Sequence, residues 1–337
     1  MKCILYIGNK SKRDKKSNLS SIDVLSPLLS EEGFEIHTAS DKRNIFLRLL
    51  NMLFLCYRFK NKIDFVLIDT YSTLNFYYAY FVSQWCRILK LTYIPILHGG
   101  NLPYRLKNSP KSSKAIFNHA HLNVAPSEYM KSVFNDFGYN NIVCIPNSIK
   151  IQNYPYLPRI FKKVKLLWVR SFSEIYNPLL AIKILKKLKE DGVEAKLCMV
   201  GPDSDGSLIR AKELAMDLDV QVSFTGKLSK EEWITLSKKY NIFINTTNFD
   251  NTPISVIESM ALGLPIISTN VGGLTYLIDN SKEGVLVEPN SVEDFVIEIK
   301  KIMSSPEKSN LLALEARKKV ENFDWNVVKK QWIKVLQ

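Results

Sequence analysis

Short apolar runs alternate along the chain with longer stretches of helical periodicity. Runs of three to six mostly apolar residues, often bounded by Gly, Pro, Asn or Asp, predict buried strands. Regular alternation of such strands with helices is typical of parallel α/β sheets. The predicted strands form a first group at 3–7, 65–68, 94–97, 122–124 and 142–145, and a second group at 165–169, 195–200, 221–225, 242–245, 265–268 and 284–287.

The chain is long enough for two domains. At 337 residues it exceeds the usual size of a single core. Residues 146–158 contain three prolines and little periodicity, which predicts a linker. We therefore expect an N-terminal domain at 1–152, a C-terminal domain at 153–323, and a last helix at 324–337 that packs back on the first domain. Two doubly wound, Rossmann-like domains facing across a cleft would bind ligands at the carboxyl ends of their strands.

One predicted helix places a carboxylate among apolar positions. Thr252 is a candidate N-cap, and Pro253 suits the first helical position. At 100° per residue Glu258 falls between Ile254 and Leu262, each one turn away. A charge in an apolar arc needs partners, and ligand hydroxyls are natural donors. The free N–H groups at the helix start favour an anion.

Asp250 lies eight residues before Glu258. The pair resembles the acidic-x7-Glu signature of retaining glycosyltransferases of GT-B family 4. That resemblance implies the GT-B fold, a UDP- or GDP-sugar donor, a glycan or lipid-linked acceptor, and no metal or other cofactor. It also implies that Glu258 holds the ribose hydroxyls and that Asp250 lies near the donor sugar. The first acid of the signature is usually Glu, so Asp250 is one methylene shorter.

Arg170 follows a predicted strand and matches the family's diphosphate-binding arginine. The family usually has a lysine about five positions later, and this chain has none there. Arg170, the helix start and Lys227 would then neutralise the diphosphate. The predicted donor-binding residues are Arg170, Ser171, Gly201, Gly226, Lys227, Thr252, Pro253, Ile254, Ser255 and Glu258.

His98 closes a predicted strand of the N-terminal half and is followed by two glycines. Glycines allow a close approach of backbone to a ligand, and in similar enzymes a histidine here contacts the donor sugar. The predicted catalytic residues are thus Asp250, His98 and Glu258, with an acceptor side formed by Gly8, Gly99, Gly100 and Asn101.

Positive charge is concentrated in the first half of the chain. Of a net charge of +13, residues 1–155 contribute 20 Lys and Arg against 10 Asp and Glu, whereas residues 156–337 contribute 26 against 23. This asymmetry favours an anionic partner. Without an RNP-type motif or a Cys/His finger, nucleic acid is not expected. The apolar segments 44–60, with Arg48 and Arg58, and 76–82 are either core helices or a surface for an anionic membrane.

Several other classes are disfavoured. Five cysteines without a CxxC pair indicate a reducing cytosol and neither zinc nor disulfides. Asp203 and Asp205 form a DxD pattern, but in a polar turn after Gly-Pro they read as loop residues rather than metal ligands. No GxGxxG motif follows the strands at 3–7 and 165–169, and no signal peptide or spanning helix is expected. We expect a cytoplasmic protein, with peripheral contact to the inner leaflet left open.

Together these features predict a retaining, metal-independent glycosyltransferase of cell-surface polysaccharide synthesis, which transfers a sugar from a nucleotide-diphosphate donor to a glycan or lipid-linked acceptor. Two alternatives remain open at this point. A nucleotide-sugar epimerase would need an acid and a base of its own. A non-catalytic nucleotide-sugar-binding partner would explain the missing lysine after Arg170.

Overall fold

The structure is a computed structural model that describes residues 2–10 and 20–337. Contacts between residues divide the chain into two compact units. Unit 1 comprises Met1–Asn147 together with Trp325–Gln337, and unit 2 comprises Ser148–Asp324. The predicted linker, 146–158, crosses the boundary: residues 148–158 belong to unit 2, where the Ile149 amide donates to the Phe323 carbonyl at 3.0 Å.

Unit 1 is built on a parallel sheet. Across the described residues its six strands lie in the order β2-β1-β3-β4-β5-β6, and each neighbouring pair is parallel. The bounds are β1 Cys3–Ile7, β2 Glu35–Ala39, β3 Phe65–Thr70, β4 Tyr93–Leu97, β5 Asn123–Ala125 and β6 Ile142–Cys144.

Sequence reasoning missed β2. Three of its five residues, Glu35, His37 and Thr38, are polar, and only Ala39 is fully buried. β2 is the edge strand of the sheet, so its polar side chains remain partly in solvent. A search for continuous apolar runs finds strands that are buried on both faces and passes over such an edge strand.

The helices of unit 1 cover both faces of this sheet. Alternate strand residues point to opposite faces, so Ile4 and Tyr6 pack with α1 and α14, whereas Leu5 and Ile7 pack with α2 and α3. The bounds are α1 Ser21–Glu31, α2 Ile45–Phe59, α3 Asn75–Ile88, α4 Leu102–Asn108, α5 Pro110–Phe117, α6 Glu128–Asp136 and α14 Trp325–Leu336.

Unit 2 contains a second parallel sheet. Its six described strands lie in the order β12-β11-β10-β7-β8-β9. The bounds are β7 Val164–Val169, β8 Ala195–Val200, β9 Val222–Gly226, β10 Ile242–Asn245, β11 Ile266–Thr269 and β12 Val285–Val287. The prediction of two doubly wound parallel sheets is confirmed.

Helices again cover both faces of the second sheet. Trp168 packs with α7, α8 and α12, and Leu167 packs with α9, α10 and α13. The α-helices are α7 Pro178–Glu190, α8 Ser207–Asp217, α9 Lys230–Ser237, α10 Ile254–Ala261, α11 Leu274–Leu277, α12 Val292–Ser304 and α13 Pro306–Glu321, and Ile151–Asn153 and Glu174–Tyr176 form short 3-10 turns.

The start of α10 differs from the sequence prediction. Thr252 was expected as the N-cap, but Pro253 occupies that position with an extended ψ of 115°. The Pro253 carbonyl accepts from the Val256 and Ile257 amides at 3.1 and 3.3 Å, so the helix begins at Ile254. The proline ring fixes φ but leaves ψ free, which allows the chain to remain extended for one more residue.

Strand order identifies where each sheet is expected to bind ligands. In open α/β sheets, ligands bind beyond the carboxyl ends of strands at the point where the strand order reverses. That point lies between β1 and β3 in unit 1 and between β7 and β10 in unit 2. Gly8 follows β1, Arg170 follows β7, and Asp250 lies in the loop after β10.

Candidate active site

Glu258 is buried in α10. It is only 2% exposed, which agrees with its predicted place in the apolar arc, although Ile254 at the helix start is 38% exposed. Glu258 Oε1 accepts from the Tyr154 hydroxyl at 2.7 Å and from the Lys230 ammonium, so the protein itself supplies two donors to this carboxylate. A buried carboxylate held in this way is tolerable in the interior.

Tyr154 and Lys230 were not found by sequence reasoning. Burial, and then the nearby Glu258 carboxylate, raise the pKa of the Tyr154 phenol well above its ordinary value, so it is a hydrogen-bond donor at neutral pH. Lys230 is the first residue of α9, and its side chain is half exposed. The capping box formed by Ser229 and Glu232 could have located that helix start, but not the contact with Glu258.

The far end of α10 is also fixed. The Arg159 guanidinium donates to the Leu262 carbonyl at 2.6 Å and to the Gly263 carbonyl at 3.3 Å. A cation against the last carbonyls of a helix complements its dipole. Burial lowers the pKa of Arg159 to about 10, so it remains charged at neutral pH. The chain turns at Gly263 with φ +75°, and a Cβ there would lie 2.9 Å from the Leu157 carbonyl oxygen.

Arg170 and Asp250 lie together at the strand-order reversal of unit 2. Their side chains form an ion pair, with 12% and 14% exposure respectively. The guanidinium carbon also lies 3.9 Å from the centre of the Tyr176 ring. The Arg170 Nε–H is buried and has no acceptor among the described residues. The arginine thus retains one donor that an anion could satisfy.

Glycines bring the surrounding loops close together. A Cβ on Gly201 would lie 1.7 Å from the Arg170 carbonyl oxygen, and the Gly201 amide donates to the Gly226 carbonyl at 2.9 Å. A Cβ on Gly273 would lie 1.7 Å from the Asn251 carbonyl oxygen. Gly201 and Gly226, which were expected near a ligand, and Gly273 therefore allow the close packing of the loops that carry Arg170 and Asp250.

The remaining predicted donor-side residues lie around the same loops. Thr252 and Pro253 are buried, Ser255 is half-buried with a hydroxyl oxygen that has no partner among the described residues, and Ser171 and Lys227 are half-buried after β7 and β9. Near the start of α10, the Ser255 hydroxyl is therefore a group without a partner among the described residues that a ligand could hydrogen-bond.

In unit 1, His98 is held against a buried carboxylate. His98 Nε2 lies 2.8 Å from Asp69 Oδ1, and the Tyr6 hydroxyl donates to the same oxygen at 2.8 Å. Asp69 was not predicted, because a single Asp within an apolar run gives no sign of its partners. Gly8 is buried in the loop after β1 and Gly99 in the loop after β4, and Gly100 and Asn101 follow at the start of α4.

Two sets of side chains in the described residues contain potential metal ligands, the pair Asp203 and Asp205 and the cluster Cys3, Glu35 and His37. The protein itself supplies donors to both acids: Asp203 accepts from the Gly206 amide of its own loop at 3.0 Å, and Asp205 accepts from the Ser173 hydroxyl of the loop after β7 at 2.8 Å. Among the described residues, Cys3, Glu35 and His37 have ligand atoms close enough for a shared metal ion. That group lies at the start of β1 and β2, whereas the candidate site residues lie at the carboxyl ends of their strands.

A family model described as "Glycosyl transferases group 1" matches residues 158–319, which lie within unit 2. Residues 158–319 are therefore similar to group 1 glycosyl transferases, and the two parallel six-stranded sheets have the arrangement of the GT-B fold. The matched residues include Arg170, Asp250, Glu258 and the newly found Lys230.

Individual relatives agree with that class. The D-inositol 3-phosphate glycosyltransferase of Rhodococcus jostii (strain RHA1) is 28% identical over 135 residues, or 39% of this chain and 30% of that protein. The Escherichia coli UDP-Gal:alpha-D-GlcNAc-diphosphoundecaprenol alpha-1,3-galactosyltransferase is 22% identical over 206 residues, or 56% of this chain and 51% of that protein. The first curated relatives align over only 28% to 32% of their own lengths.

A solved structure supports the fold over the whole chain. Anabaena HepE, crystallised in complex with UDP-glucose, is similar with a TM-score of 0.78 and 14% identity, covering 99% of each chain. At that identity, the similarity is one of fold.

Proposed function

We propose that this protein is a retaining glycosyltransferase of cell-surface polysaccharide synthesis. Its donor is a nucleotide-diphosphate sugar, preferably a UDP-sugar, and it uses a glycan or lipid-linked acceptor. The observation that carries the proposal is Arg170, whose buried Nε–H has no acceptor among the described residues, at the strand-order reversal of unit 2. The group 1 family match over residues 158–319 supports the same donor chemistry.

Each group has a role in the transfer. The bond between the sugar anomeric carbon and the diphosphate oxygen breaks, and the acceptor hydroxyl oxygen bonds to the same face of that carbon. The hydroxyl proton passes to the departing phosphate. Negative charge grows on that phosphate, and Arg170 with the amide groups at the start of α10 would stabilise it.

The ion pair between Arg170 and Asp250 suits this role. A diphosphate would compete with Asp250 for the Arg170 guanidinium, because a phosphate and a carboxylate both accept bidentate hydrogen bonds from arginine. Asp250 would then be available to accept hydrogen bonds from hydroxyls of the donor sugar. Glu258, with Lys230 and Tyr154 already on one oxygen, would hold the ribose hydroxyls. Lys230 and Lys227 are the cations that we propose take over from the lysine missing after Arg170.

A nucleotide panel followed by a transfer assay tests the proposal. We expect UDP-glucose or UDP-galactose to raise the melting temperature more than GDP-mannose, since a ligand at 100 times its Kd contributes about 2.7 kcal/mol. NMR of the product should show the same anomeric configuration as the donor. Interconversion of UDP-sugars without acceptor would instead indicate an epimerase. Binding without transfer to any glycan or lipid-linked acceptor would indicate a non-catalytic partner.

We further propose that unit 1 contacts an anionic membrane through α2. The two segments left open by the sequence differ in the structure. In α3, Phe76, Ala79 and Val82 are fully buried, as in an ordinary core helix. In α2, only Met52 and Cys56 are buried. The large apolar side chains of α2 that are more than half exposed are Ile45, Phe46, Leu47, Leu50, Phe54 and Tyr57.

Charge around α2 fits an anionic surface. Residues 42–62 contain six Lys and Arg and no Asp or Glu, and Arg58 is exposed near the end of the helix. Exposed apolar side chains can enter the boundary of a bilayer, while basic groups contribute about 1 kcal/mol each near an anionic leaflet. None of the helices in the described part of the chain is long and apolar enough to cross a membrane.

Vesicle cosedimentation tests this contact. Binding should increase with the fraction of anionic lipid, decrease in high salt, and weaken in Phe46→Ser and Arg58→Glu. Matched changes at exposed positions of unit 2, Ile209→Ser and Lys212→Glu, should bind like the wild type. Equal, poor binding of the wild type to neutral and anionic vesicles at low salt would show that α2 has another role.

A further inference from the structure

A hydrogen-bonded group occupies the strand-order reversal of unit 1. β1 and β3 are neighbours there, and the loops after β1 and β4 lie at the same edge of the sheet. Asp69 is the penultimate residue of β3, Gly8 follows β1, and His98 follows β4. None of these residues lies in the segment 158–319 that matches the family model.

Asp69 is completely buried and held from three sides. Its Oδ1 accepts from the Tyr6 hydroxyl and lies next to His98 Nε2, both at 2.8 Å. The Tyr78 hydroxyl donates to the Asp69 backbone carbonyl at 2.6 Å. The second carboxylate oxygen, Oδ2, has no donor among the described residues. A buried carboxylate with an unsatisfied oxygen is costly, which argues for a role beyond packing.

The contacts of His98 determine which ring nitrogen carries the proton. A carboxylate only accepts hydrogen bonds, so Nε2, 2.8 Å from Asp69, is the N–H donor. In the neutral ring Nδ1 is then an acceptor, and the Ser21 hydroxyl lies 3.3 Å from it. The histidine side chain is 11% exposed, and the Tyr71 ring lies 5.6 Å away, centre to centre.

We propose that Asp69 is a positioning residue for sugar transfer: it fixes His98 as the Nε2–H tautomer and so presents Nδ1 as an acceptor for a substrate hydroxyl. A sugar hydroxyl would take the place of the Ser21 hydroxyl at Nδ1. The Ser21 hydroxyl oxygen lies 3.3 Å from Nδ1, which is longer than most hydrogen bonds between a hydroxyl and a nitrogen. Replacing it by a sugar hydroxyl therefore costs only a weak interaction. This inference rests on the proposed function for its substrate class, but the tautomer is a property of the protein alone.

Gly8 sets the position of the carboxylate. A Cβ there would lie 2.5 Å from Asp69 Oδ2 and 3.3 Å from Ile22 Cβ, so any side chain would displace the carboxylate. Gly8→Ala therefore disturbs the contact between Asp69 and His98 without removing a charge. It provides a second variant that is independent of Asp69→Asn.

The first experiment measures the tautomer of His98 by ¹⁵N NMR in the full chain, without substrate. The wild type should show Nε2–H. In Asp69→Asn the amide can donate to Nε2, which favours the Nδ1–H tautomer. Gly8→Ala should move the His98 signals in the same direction, and Asp41→Asn, which removes an exposed carboxylate, should not. An unchanged Nε2–H tautomer in folded Asp69→Asn would overturn the proposal, as would an Nδ1–H tautomer in the wild type.

The second experiment measures transfer kinetics. Asp69→Asn should lower kcat by roughly tenfold, the effect of losing one hydrogen bond that orients a group used in transfer, with little change in UDP affinity. Asp41→Asn, the exposed-carboxylate control, should keep both the tautomer and kcat. If the tautomer changes in Asp69→Asn while kcat stays at the wild-type level, Asp69 does not position a group used in transfer, and the proposed transferase function still stands. If the wild type transfers no sugar, the proposed function fails while the NMR result still reports on the tautomer.

Discussion

The contacts of Glu258 allow a quantitative prediction. Glu258→Gln keeps the shape of the side chain and removes its charge. In the structure one oxygen accepts from both Tyr154 and Lys230, so the variant weakens two charge-assisted hydrogen bonds and any that the carboxylate makes to ribose. A hydrogen bond to a charged group contributes about 1.5–3 kcal/mol. At 1.36 kcal/mol per tenfold, the expected loss of UDP affinity is roughly 10–150-fold.

Calorimetry with UDP measures this loss, and a thermal melt reports whether the variant remains folded. Glu213→Gln, an exposed position on α8, is the matched control and should bind UDP like the wild type. Lys230→Met and the double variant Glu258→Gln/Lys230→Met complete a double-mutant cycle. Residues in contact typically show an interaction free energy of about 0.5–3 kcal/mol in such a cycle. A folded Glu258→Gln protein that binds UDP within twofold of the wild type would refute the ribose assignment.

Further predictions concern the diphosphate, metal, acid stability and loop packing. Arg170→Ala should lose most transfer activity and UDP affinity while remaining folded; retained UDP affinity would contradict its role. Activity should survive EDTA and Asp203→Ala, whereas an absolute need for Mn²⁺ that Asp203→Ala abolishes would contradict a metal-independent reaction. The Ser207 hydroxyl, ahead of other donors, holds the pKa of Asp205 well below its usual range, so this group stabilises the fold at neutral pH and loses that contribution as the pH falls below about 4. Melting curves of Asp205→Asn should therefore vary less with pH in that range than those of the wild type. Gly273→Ala should lower the free energy of unfolding by at least about 1–3 kcal/mol, because a Cβ there would overlap a backbone oxygen.

The parts of the fold that the sequence predicts well are those set by local apolar runs. Every predicted strand corresponds to an observed one within a residue or two, because strands such as β1 and β3 are buried on both faces. The polar edge strand Glu35–Ala39 was missed for the opposite reason. The start of α10 was placed one residue early, because local propensity does not fix the ψ of Pro253.

The candidate site could be predicted only in part. Asp250 and Glu258 were predicted because their motif is compact in the chain, and Arg170 was predicted because it directly follows an apolar strand. Their partners come from far away in sequence: Tyr154 lies 104 residues from Glu258. Asp69 lies 29 residues from His98 within an apolar strand. Such contacts depend on strand order, which apolar periodicity does not determine.

The discontinuity of unit 1 has a consequence for how the protein is made. Helix α14 supplies Trp325, Val328, Trp332 and Leu336 to the core that packs against β1 and β3. During synthesis the ribosome produces all of unit 2 before these residues exist, so the unit that begins first is completed last. Until then, Ile4 and Tyr6 lack part of their cover, and nascent chains would expose an unfinished apolar face that a chaperone could bind. For the same reason, a fragment ending at Asn147 should aggregate, and joining Trp325–Gln337 to it through a short linker should restore its solubility.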